Sequence, residues 1–145
     1  MFSGPSLITR IVIGKTIGFL FGLIGFFLLP HLFGETDLMI RLGFVFWYTS
    51  IGAFIGIFGV FTWHPILKLP MPWWFRSASV GAWMNFVLTL FIYDRMQSYM
   101  TAVFGENGVM SSPFWFVLEG ALVGLLIGFL ATRFGGEGKE TIPDP

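Results

Sequence analysis

No charged residue interrupts the chain between Thr16 and Gly34, and none lies between Leu42 and Leu67. A helix rises 1.5 Å per residue, so ~20 apolar residues cross a hydrocarbon core about 30 Å thick. In lipid every backbone N–H and C=O must find its partner inside the protein, which leaves helices or a closed barrel. Barrel strands alternate polar and apolar residues over about ten positions. Phe19-Leu20-Phe21-Gly22-Leu23-Ile24 shows no such alternation. The expected fold class is therefore an all-α integral membrane protein.

Composition narrows the function classes. Charged residues make up 11% of the 145 positions and hydrophobic ones 55%, with no formal net charge. Soluble domains carry about 25% charged residues. These values exclude a soluble enzyme domain, a disordered chain, and a nucleic-acid binder that relies on a basic surface. There is no cysteine, so disulfides, thiolate catalysis and Cys-ligated metals are absent.

Four spans are predicted, over about 11–33, 38–63, 77–95 and 113–133. They form a compact four-helix bundle in a single domain, 1–134, followed by a flexible polar tail, 135–145. Arg10 and Lys15 precede the first apolar stretch, as in a signal peptide. The stretch is too long for one and lacks a small-residue cleavage site, so an uncleaved first span is expected. The connections are polar or Pro-rich: Gly34-Glu35-Thr36-Asp37, the 64–76 segment with Pro65, Pro70 and Pro72, and a long loop over 94–112. Lys and Arg near span ends set orientation. Arg10, Lys15, Lys68, Arg76, Arg133 and Lys139 fall on one side, and Arg41 and Arg95 on the other. Both termini are therefore expected in the cytoplasm, in a bacterial inner membrane. Trp47 and Trp115 are expected as anchors at the outer interface, and Trp63, Trp73 and Trp74 at the inner one.

Helices in lipid associate through close backbone approach at small residues. Gly14, Gly18, Gly22 and Gly25 form one stripe, Gly52, Gly56 and Gly59 a second, and Gly120, Gly124 and Gly128 a third. The third span offers Ala78, Gly81 and Ala82. Tight packing within one bundle accounts for such faces. Three stripes also leave one to face a second copy or another membrane subunit.

An ionisable group inside a span costs ~2.5–3.5 kcal/mol on insertion scales and needs a reason. Lys15 lies near a span end and can snorkel. Glu119 lies six residues after Pro113, about 9 Å along its helix. At 100° per residue it faces away from the stripe that contains Gly120. Asn85, Thr89, Tyr48 and Ser50 fall at similar depth, so a polar layer between spans two, three and four is predicted. Interhelical hydrogen bonding is the simplest role for that layer, and proton or ion handling the sharper one.

His31 and His64 fall at opposite faces and cannot share a metal or haem. No P-loop, H-E-x-x-H, G-x-S-x-G or Rossmann pattern occurs. No cofactor, metal or catalytic residue is expected. The leading expectation is a non-enzymatic integral subunit acting through glycine-mediated association, as a homo-oligomer or in a larger membrane complex. The alternative is a small proton- or ion-linked channel or transporter using Glu119 and Asn85, with a holin-like pore a weaker third. The expected surroundings are the lipid bilayer and other membrane subunits, not nucleic acid.

Overall fold

In a computed structural model, which describes residues 4–143, the chain is all-helical. It contains α1 (Leu7–Leu32), α2 (Leu38–Phe58), α3 (Trp73–Phe91), α4 (Tyr93–Phe104) and α5 (Trp115–Gly135), plus single 3-10 turns at Val109–Ser111 and Lys139–Thr141. Three helices, α1, α2 and α5, are long and apolar enough to cross a membrane. A fourth span arises if α3 and α4 are counted as one broken span; their axes differ by 102°.

Local chemistry explains the helix ends. Ser6 caps α1 by accepting the Thr9 N–H at 3.2 Å, and Asp37 caps α2 by accepting the Met39 N–H at 2.9 Å. Helix α3 begins directly after Pro72, a residue that fits a helix start because it has no N–H to leave unpaired. The third span therefore starts at Trp73 rather than at the predicted residue 77. Pro30 lies inside the last turn of α1 and donates no N–H to the Phe26 carbonyl. Arg41 supplies the missing donor: its Nε bonds that carbonyl at 2.9 Å, and its guanidinium lies 4.0 Å over the Phe26 ring.

The predicted 94–112 loop is largely a helix. Helix α4 is amphipathic, burying Met96, Tyr99 and Met100 at i, i+3 and i+4 while Asp94, Arg95 and Gln97 stay exposed. The second span ends at Phe58 rather than at 63, and residues 62–71 fold into a small hairpin. There His64 donates to the Leu69 carbonyl at 2.9 Å and Met71 to that of Thr62 at 2.8 Å.

Glycine stripes set the pairing. Gly14 meets Gly52 backbone to backbone, Gly18 meets Tyr48, Gly22 meets Val45, and Gly56 lies against Arg10 and Ile11. These contacts join α1 to α2. Gly81 meets Gly120, while Gly124 and Gly128 lie against Ser77, joining α3 to α5. Gly59 rests on the Arg10 side chain, and Gly25 has nothing within 4 Å of an added Cβ. Every stripe is thus engaged within the chain, with Gly25 left over. On α3 the buried small and polar face is Ser77, Gly81, Asn85 and Thr89, one turn apart. Phe46, Ile24, Leu118 and Leu122 point outward and remain exposed.

Candidate functional site: a carboxyl cluster between helices

The first turns of α5 carry Glu119 toward α2 and α3. Tyr48 donates its hydroxyl to Glu119 Oε2 at 2.5 Å, and Asn85 Nδ2 donates to the same oxygen at 2.8 Å. Asn85 Nδ2 also reaches the Phe116 carbonyl at 2.9 Å and the Tyr48 hydroxyl at 3.4 Å. Its Oδ1 accepts from Trp47 Nε1 at 3.2 Å. Asn85 is fully buried and has partners at both ends of its amide, as a polar group withdrawn from water requires. Among the described residues no cation pairs with Glu119. Both of its hydrogen bonds fall on Oε2, so Oε1 takes none from a described residue.

The structure brings together three of the five predicted layer residues: Glu119, Asn85 and Tyr48. Thr89 lies one turn from Asn85, fully buried, and donates to the Asn85 main-chain carbonyl at 2.7 Å. Ser50 takes no part, because its hydroxyl turns back onto the Phe46 carbonyl of its own helix at 2.8 Å. Such back-bonding satisfies a lone serine in a span without any neighbour. Asn85 also approaches Gly120, so α3 sees both the carboxyl and the glycine face that helical phase had separated. Among the anchors, Trp63 and Trp74 are exposed and Trp73 packs on Phe129 at 5.8 Å. Trp115 donates to the Val109 carbonyl at 2.9 Å. Trp47 gives its indole N–H to Asn85, between the helices.

Two further ionic clusters close the ends of the bundle. At the end holding the start of α1, Arg10 is buried to 1% exposure. Its Nε donates to the Gly56 carbonyl at 3.0 Å and one terminal nitrogen to that of Ile55 at 3.2 Å. The other reaches Thr132 Oγ1 at 3.0 Å and the Gly136 carbonyl at 2.5 Å. A guanidinium there serves the last carbonyls and negative dipole ends of two helices, α2 and α5. Gly136 adopts φ 71°, a conformation that glycine takes at little cost, and this turns its carbonyl toward Arg10. The chain then continues along the bundle: Glu137 pairs with Arg76, Gly138 donates to the Gly59 carbonyl at 2.7 Å, and Thr141 is buried. Within the 135–145 segment expected as a flexible tail, residues 136–142 thus make specific contacts, while 144 and 145 lie outside the described residues.

At the opposite end, Glu35 pairs with Arg95 and accepts the Tyr99 hydroxyl at 2.6 Å. Burial pushes its carboxyl up, but the bonds from Tyr99, Arg95 and the Asp37 N–H outweigh it and hold the pKa below the ordinary value. This latch ties α4 to the α1–α2 turn. In the sequence Arg10 reads as a topology signal and Glu35 as a turn residue. A lone charge at a span end carries no mark of what it bonds.

Among the described residues no group of three or more His, Asp or Glu is placed to hold a metal ion. No protein family, curated protein or solved structure matches the chain.

Proposed function

We propose that the protein is a small proton- or cation-linked membrane transporter whose working group is Glu119. One observation supports this above the others: the carboxyl has one oxygen fixed by Tyr48 and Asn85 and the other unclaimed, with no cationic partner. A carboxyl inside a span without a counter-ion is a functional-site hypothesis by default. On this reading Oε2 is the structural end of the group, and Oε1 is where a proton or cation is taken up and released. The bundle has four spans, counting α3 with α4, with both termini in the cytoplasm of a bacterial inner membrane. That orientation rests on the excess of Lys and Arg at the end holding Arg10, Lys68 and Arg76.

The test is flux through proteoliposomes. Proton or monovalent-cation flux is expected from the wild type and should fall sharply for Glu119→Gln, a variant able to retain the Tyr48 and Asn85 contacts. Absence of flux in both, with helical content unchanged, removes the transport reading. Cysteine labelling at Gly4 and Pro143 in intact cells checks the orientation; labelling from outside would overturn it.

A second reading, a non-enzymatic subunit working by association with copies or partners, has a narrower basis now that the glycine stripes pair within the chain. What favours it is the small extramembrane mass and Gly25, which has nothing against it. Native mass spectrometry from nanodiscs tests it: an oligomer supports association, and a strict monomer at high density counts against it.

A further inference from the structure

We infer that Glu119 is reached from the bilayer through a crevice that takes a single-tailed amphiphile with a hydrogen-bond-donating head. The inference rests on the working role of Glu119 proposed above and names its ligand class. A cavity of about 270 Å³ lies beneath α4, walled by Phe33, Met100, Phe104, Met110 and Trp115, with Glu119 in its lining. That volume falls just below the roughly 300–1,000 Å³ common for small-molecule sites.

The lining is apolar apart from one group, and that group has an acceptor to spare. Glu119 Oε2 is occupied by Tyr48 and Asn85, whereas Oε1 has no described partner. No buried side-chain oxygen lacks a partner among the described residues, so Oε1 is an accessible atom rather than a sealed one. An acceptor of this kind selects a head that carries N–H or O–H, and a charged acceptor favours an ammonium. The walls select the tail. Val103 and Phe104 at the rim are about half exposed, giving an apolar entrance beside the amphipathic helix. Entry is therefore lateral, past Val103 and Phe104 along α4, with the head at Oε1 and the tail against the apolar walls.

The experiment uses the full chain in nanodiscs with a diazirine-bearing dodecylamine, competed by dodecylamine, dodecanol or dodecyltrimethylammonium. Saturable labelling is expected on peptides holding Met100, Phe104, Met110 or Trp115. Dodecylamine should compete best and dodecanol next. Dodecyltrimethylammonium, which has no N–H, should compete about tenfold less well than dodecylamine, the scale of one lost hydrogen bond to a charged group. Glu119→Gln turns an N–H group toward the head and should weaken labelling about as much. Val103→Trp fills the rim without touching the carboxyl and should abolish labelling while thermal stability is kept. Labelling unaffected by Val103→Trp, or equal competition by all three amphiphiles, overturns the inference. Specific labelling without flux preserves the crevice and removes transport; flux without specific labelling does the reverse.

Discussion

Gly22 and Gly25 lie on the same helix, three residues apart, in opposite packing environments, and so provide an internally controlled test of the glycine contacts. A Cβ added at Gly22 would lie 2.6 Å from Val45 Cα and 2.7 Å from the Val45 carbonyl oxygen, where ordinary contact begins at 3.4 Å. The obstructing atoms are backbone, so no rotamer relieves them, and α1 must move from α2 by the difference between 2.6 and 3.4 Å, about 0.8 Å. Overpacking of this kind costs ~1–3 kcal/mol. A Cβ at Gly25 meets nothing within 4 Å. Alanine favours the helix over glycine by about 1 kcal/mol at either site, so that gain cancels in the comparison. Gly22→Ala should therefore be less stable than Gly25→Ala by ~1–3 kcal/mol. Adding Val45→Ala should not rescue it, because the Val45 side chain is not the obstacle. Reversible unfolding in mixed micelles, followed by helical circular dichroism, measures the difference. Equal stability of the two alanine variants would refute the α1–α2 contact as described.

Three further outcomes are expected. Arg10→Leu leaves the Ile55, Gly56 and Gly136 carbonyls without their charged donor, each such bond being worth ~1.5–3 kcal/mol; amide exchange should speed up over 59–60 and 136–141 before it does elsewhere, and Arg10→Lys should restore protection only in part, since an ammonium cannot reproduce the fork. Glu35 has a folded pKa held below its ordinary value of 4.5, so its latch contributes stability above that pH and loses it as pH falls through the lower folded value; exchange in α4 should rise with acidification, and Glu35→Gln should reduce that rise, leaving only the longer Arg95–Asp37 pair to respond. Tyr48→Phe removes one of the two donors to Glu119 Oε2 and should cost about 0.6 kcal/mol and at most about 1.7, the average and the maximum for hydrogen bonds between membrane helices; an unchanged unfolding midpoint would show that the 2.5 Å bond contributes nothing.

What could be read from the residues divides along physical lines. Long apolar runs are visible because lipid demands them, so α1, α2 and α5 lie close to the expected spans. Helix α4 was hidden because its apolar residues, Met96, Tyr99 and Met100, are few and sit among charges; their i, i+3, i+4 spacing was the available signal. Depth along a span places Glu119 near Asn85 and Tyr48, since rise per residue is fixed. It cannot say that Ser50 satisfies itself on its own helix, or that the Trp47 indole bonds Asn85. Glycine stripes advertise close packing but not its partner, and their engagement within one chain appears only once helices are paired. The ion clusters of Arg10 and Glu35 join residues far apart in sequence, 126 positions between Arg10 and Gly136, so nothing local marks them.

That separation has a consequence for biogenesis. Gly136 is synthesised 126 residues after Arg10, so the guanidinium waits for that acceptor while the intervening helices form. The α1–α2 hairpin, zipped by Gly14 and Gly52, can assemble early and already offers Arg10 the Ile55 and Gly56 carbonyls, but the Thr132 and Gly136 acceptors come only with α5. Locking of that end thereby waits on the last turn of α5, and a chain cut short before residue 132 would leave the guanidinium without its Thr132 and Gly136 acceptors.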